Sequence, residues 1–131
     1  MKMGTGGPPV GAGSVTVVFN RCTVIVKAWS NGAHHPTGAG YGLKVSAADR
    51  DRYFRREWGT ATIELPNGVC AHVNIDKDSF WNTSCRELIS HEIGQWLLHT
   101  RLAPWTADEP PDLLLEPIVR NRFRLDANLI G

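Results

Sequence analysis

Long hydrophobic runs, paired cysteines and an excess of either charge are all missing from this 131-residue sequence. No apolar stretch approaches the roughly 18 residues a membrane helix requires, so a soluble chain with no membrane partner is expected. The three cysteines, Cys22, Cys70 and Cys85, are odd in number, far apart and free of any CxxC pair. Neither a disulfide framework nor a zinc cluster is indicated, and a reducing, cytoplasmic setting is the expectation. A net charge of +1 removes the general electrostatic grip on nucleic acid that a strongly basic protein has. The charge is nevertheless uneven. From Arg21 to Arg56 seven basic residues stand against Asp49 and Asp51, whereas from Arg101 to Glu116 a single arginine faces Asp108, Glu109, Asp112 and Glu116.

Complete catalytic motifs are missing too. His91-Glu92 begins like a zinc helix, but the position that should supply the second histidine is Gln95. The adjacent His34 and His35 would need partners from elsewhere to hold a metal. Gly38-Ala39-Gly40-Tyr41-Gly42 lacks the Lys-Ser/Thr of a phosphate loop and is not followed directly by a helix. No metal and no cofactor is expected.

What is present is one domain's worth of alternating pattern. Residues 1–14 are rich in Gly and Pro, lack the apolar segment of a secretory signal and read as a flexible leader to a single domain over 15–131. Val15 to Trp29 is a β-rich stretch whose strongest run is Thr23-Val24-Ile25-Val26. A long polar loop follows, and Tyr41 to Val45 returns as strand. Ser46 with Asp49 forms a capping signal for a helix running to about Glu57. Ala61 to Leu65 and Val69 to Ile75 alternate on either side of Pro66-Asn67-Gly68, which reads as a hairpin, with Val69, Ala71, Val73 and Ile75 on one face. Ser84-Cys85-Arg86-Glu87 reads as a capping box opening a second helix. Its apolar stripe is Ile89, Ile93, Trp96 and Leu97, broadened by Leu88 and Leu98 and ended by Pro104. Leu113-Leu114-Leu115, a turn at Arg120-Asn121, and Phe123 and Leu125 complete a closing strand pair. The order is ββαβββαββ, an α+β, mainly β arrangement of about seven strands expected to form a partly open barrel braced by two short helices.

Three functions fit these residues. Two polar loops bounded by strand carry Asn31, His34, His35, Thr37 and Tyr41, and Lys77, Ser79, Trp81, Asn82, Thr83 and Arg86. Such side chains donate to phosphates and read base edges. The five tryptophans serve equally well as anchors for a protein or small ligand on the same barrel. Cys85, at the start of the expected second helix, is a candidate nucleophile whose pKa the helix dipole would lower, with His72 or His91 as base.

The element order and local patterns resemble the B3 family of DNA-binding pseudobarrels, found in plant transcription factors and in recognition domains of bacterial restriction endonucleases. The resemblance covers roughly Val24 to Leu125. It is carried by Tyr41 to Ser46 leading into Asp49 to Phe54, by Asn74 to Trp81 leading into Ser84 to Leu98, and by Leu113 to Leu125. It implies a non-catalytic module that grips the major groove of double-stranded DNA with two arms. Trp29 to Lys44, with Lys44 itself as a contact, would form the first arm and Lys77 to Arg86 the second. It further implies a bacterial protein linked to restriction-modification or phage defence, with a separate or fused nuclease as partner. The sequence departs from the family in the sparse basic content of the first arm and in Asp76 and Asp78, which flank Lys77.

Overall fold

Residues 23–106 and 109–129 are described in a computed structural model of the chain. The leader over 1–14, the start of the first expected strand, and Cys22 lie outside the described residues. Seven strands form a single sheet: β1 (Val24–Ser30), β2 (Tyr41–Lys44), β3 (Thr60–Glu64), β4 (Cys70–Asn74), β5 (Glu87–Ile89), β6 (Asp112–Val119) and β7 (Arg122–Leu129). Their spatial order is β4-β3-β7-β6-β1-β2-β5. Every pairing is antiparallel except β3 with β7. The two outermost strands, β4 and β5, approach one another, so the sheet is a nearly closed barrel, as the strand count led one to expect.

Period-two alternation decides which side chains fill the barrel. Val24, Val26 and Ala28 point inward while Ile25 and Lys27 point out, and Leu113, Leu115, Phe123 and Leu125 close the far wall. The β3–β4 hairpin turns through Asn67-Gly68, where Gly68 holds φ +89° and Asn67 Oδ1 accepts from Val69 N–H at 3.0 Å. Ala71, Val73 and Ile75 are buried as the alternation requires, but Val69 sits on the turn and stays exposed.

The helices depart from expectation in three places. α1 (Ala47–Tyr53) is capped by Ser46, whose Oγ accepts from Asp49 N–H at 3.1 Å. It stops before Glu57 because Phe54 adopts extended backbone, and only a 3₁₀ turn follows at Arg56–Trp58. The Phe54 ring stacks on Phe123 at 4.6 Å and meets Phe80 edge-on. Burying a phenylalanine is worth roughly 1.5–3 kcal/mol, whereas adding a residue to a helix changes the free energy very little, so packing wins.

The second helix does not begin at Ser84. Asn82 Oδ1 does accept from Ser84 and Cys85 N–H, at 2.9 and 2.8 Å, but Arg86 then takes φ +80°, which a helix cannot continue. Residues 87–89 become β5, and Leu88 and Ile89 leave the helical stripe for a strand, one buried and one exposed. The helix proper is α3 (His91–His99), capped by Ser90, with Ile93, Trp96 and Leu97 buried as expected. A third helical element, the single turn α2 (Asp78–Trp81), lies within the second polar stretch, where a loop was expected. Cys85 is therefore in a turn before a strand, and the helix-dipole argument for a reactive thiol loses its basis.

Candidate nucleic-acid interface

The outward face of β1, β2 and β5 follows from register. Lys27 stands opposite Lys44, and Lys44 opposite Glu87; Trp29 stands opposite Gly42, and Gly42 opposite Ile89. On the other flank Lys27 pairs in register with Asp112 and Ile25 with Leu114. The result is a strip carrying the exposed Ile25 and Ile89, the half-buried Trp29, and two lysines, each neutralised nearby. Lys27 Nζ lies 2.7 Å from Asp112 and Lys44 Nζ 3.6 Å from Glu87. A cleft of about 370 Å³ lies at the edge of this strip, lined by Ile25, Lys27, Lys44, Val45, Arg86 and Asp112 among others. Lys27 was not singled out in the sequence; only the strand register brings it beside Lys44.

The two loops leave opposite ends of this face. Residues 31–40 emerge at the Ser30–Tyr41 end, and residues 75–86 reach β5 at the Lys44–Glu87 end. The four residues of β2 separate them. From Tyr41 to Lys44 the chain takes three steps, which at about 3.4 Å each is roughly 10 Å, comparable to the roughly 12 Å width of the major groove.

The first loop is strapped to α3. Gly38 packs so tightly that a Cβ there would sit 2.5 Å from His91 O, and one on Gly94 would sit 2.2 Å from Gly38 O. Gln95 Nε2 donates to Thr37 O at 3.3 Å. Asn31 N–H donates to Gly40 O, closing the loop, and Asn31 Oδ1 accepts from Ala33 N–H. His35 and Thr37, both exposed, join side chain to side chain at 2.8 Å. His34, at φ +47°, turns inward, with Nδ1 2.8 Å from the Tyr41 hydroxyl and its ring on Trp105. Tyr41 itself is fully buried, and that burial pushes its phenol pKa up. Of the five candidates in this loop, Asn31, His35 and Thr37 face solvent, His34 does so in part, and Tyr41 belongs to the core.

The second loop is built around a buried cation that the sequence reading did not single out. Arg50, on α1, donates through one terminal nitrogen to Phe80 O at 3.1 Å and to Asn82 O at 2.6 Å, and its guanidinium lies over the Trp81 ring at 5.4 Å. Trp81 Nε1 donates to Ile75 O at 2.8 Å. Arg56 bonds Asp78 and Asp76, which hold its guanidinium further above its ordinary pKa. Arg86 turns back on the chain, donating to Val45 O at 2.8 Å and to Thr83 O. Trp81, Asn82 and Arg86 thus act first as internal braces of the loop. Lys77, Ser79 and Thr83 make no side-chain bond among the described residues.

Among the described residues no group of three His, Cys, Asp or Glu side chains is assembled that could hold a metal ion, and no helix is long and apolar enough to cross a membrane. The fold and these loops define a class, a mainly β pseudobarrel with two braced loops flanking one outward sheet face. No protein-family model, curated protein or solved structure matches the chain.

Proposed function

We propose that this chain is a non-catalytic recognition module for duplex DNA, which lies across the β1–β2–β5 face with one loop on either side. The observation that carries the reading is the placement of the two polar loops at opposite ends of one outward strand strip, at a spacing close to a major-groove width. The likeness of the pattern to the B3 family supports it. Lys77, Ser79 and Thr83 would contact phosphate and sugar. Asn31, His35, Thr37 and the amide of Asn82 face the groove. Arg86 shapes the second loop and leaves part of its guanidinium for phosphate. A separate or fused nuclease, as in restriction or phage defence, would supply the chemistry.

The near-neutral charge sets the expected strength. With Lys27 and Lys44 neutralised, few phosphates are contacted, so affinity should fall only gently with salt. The test is retention of labelled duplexes, plain and methylated, across a salt series. A shifted complex with a shallow salt slope and a preferred sequence or modification is expected. Absence of a shift on every duplex at low salt would overturn the reading and favour a barrel that binds protein or a small ligand.

A further inference from the structure

Half of the described lysines and arginines are matched to a carboxylate. Lys27 pairs with Asp112, Lys44 with Glu87, Arg50 with Asp51, Arg56 with Asp76 and Asp78, and Arg122 and Arg124 with Glu64. Arg55 and Arg120 are exposed and make no ion pair or side-chain hydrogen bond among the described residues. Far apart in the chain, they line one cleft of about 480 Å³ together with Glu57, Trp58 and Asn121.

The pairing of β3 with β7 brings them together. Asn121 O accepts from Thr62 N–H at 2.8 Å, and Asn121 Nδ2 donates to Thr60 O at 3.0 Å, fastening the β6–β7 turn to the start of β3. Arg55 leads into the 3₁₀ turn that immediately precedes β3, and its carbonyl accepts from Trp58 N–H. Trp58 packs its indole near Phe54 and Phe123, each at 6.4 Å between ring centroids, so the platform is anchored to the core. Arg120 holds φ +50°, a conformation that favours glycine.

We propose that this cleft binds the phosphate of a nucleotide, clamped between the Arg55 and Arg120 guanidinium groups. Planar guanidinium forks match phosphate oxygens, and two arginines that line one cleft with no ion pair among the described residues leave that demand open. The Trp58 indole offers an apolar surface beside the phosphate. The Glu57 carboxylate at the rim would repel a bare anion and accept from a ligand that also carries donors, such as ribose hydroxyls or base amino groups. The nucleotide is either free or a unit of a nucleic acid backbone; both present the same phosphate. The cleft lies on the β3 side of the 3₁₀ turn, whose Arg56 holds the second loop through Asp76 and Asp78. The assignment is independent of the duplex reading.

The test titrates the full chain, wild type, Arg55→Ala and Arg120→Gly, with adenosine monophosphate, inorganic phosphate and a short duplex. Arg120→Gly is chosen because glycine adopts φ +50° freely, so the variant should melt no lower than wild type. Saturable binding of the mononucleotide, tighter than that of inorganic phosphate and weakened about tenfold or more by either substitution, is the expected result for a free ligand. If only the duplex binds, and each substitution weakens it and lowers its salt slope by about one, the phosphate belongs to the backbone. Mononucleotide and duplex responses that are the same in all three proteins would overturn the site. A duplex response lost in Lys77→Ala but intact in Arg55→Ala and Arg120→Gly, with no mononucleotide binding, would also overturn it while leaving the β1–β2–β5 face in place.

Discussion

Gly38 and Gly94 meet with no space for a methyl group where the first loop lies against α3. Gly94→Ala should therefore cost on the order of 1–3 kcal/mol through overpacking. It should also raise amide exchange selectively over residues 31–40; unchanged exchange there would mean that the loop stands without α3. Trp96, 3% exposed in the same helix, is a different case. Trp96→Ala removes a buried aromatic and leaves a cavity, at a cost of roughly 3–5 kcal/mol in denaturant unfolding. Lys77→Ala removes only a side chain without bonds among the described residues and should leave the unfolding midpoint within experimental error.

Ser90 shows how a short element is fastened. Its Oγ accepts from Glu92 N–H at 3.1 Å and donates to Glu92 Oε1 at 2.6 Å, and that second bond is the chief reason the Glu92 carboxyl sits below its ordinary pKa. A carboxyl lowered by folding adds stability that is present above its unfolded pKa, about 4.3, and is lost as pH falls through the folded value. Ser90→Ala should cost about 1 kcal/mol at neutral pH through the lost cap, and its deficit against wild type should narrow below about pH 4. A deficit constant from pH 7 to 3 would show that the Glu92 bond adds nothing. The β3–β4 hairpin, the presence of β1 and β6, the alternation of Phe123 and Leu125 in β7, and the Ser46 cap were all legible from strand propensity, alternation and turn chemistry, because those signals act between neighbours. The start of the second helix was not. Ser84 to Glu87 satisfies the capping pattern, and only Arg86 at positive φ, together with the pairing of Leu88 opposite Leu43, turns the chain into β5. The site was legible to a similar extent. The loops were found as polar segments, but the inward turn of Tyr41, the brace supplied by Arg50 and the neutralisation of Lys44 depend on partners tens of residues away.

At the scale of the whole molecule, the duplex reading separates two kinds of side chain. Lys77→Ala should weaken binding about equally on every sequence and lower the salt slope by about one. Asn31→Ala, if that side chain reads a base edge, should lose roughly 1–3 kcal/mol on the preferred site and little on random duplex. Competition binding with both duplexes tells these outcomes apart, and equal losses on both from Asn31→Ala would remove it as a reader. The sheet order carries a consequence of another kind. β7 lies between β3 and β6, yet it is the last of the seven strands to leave the ribosome. Until it does, no strand ladder joins the β3–β4 hairpin to the β6–β1–β2–β5 sheet, and each has a bare inner edge. The arrival of β7 is therefore a single fastening event across the middle of the barrel, and a polypeptide halted after Val119 would present two sticky edges to its neighbours.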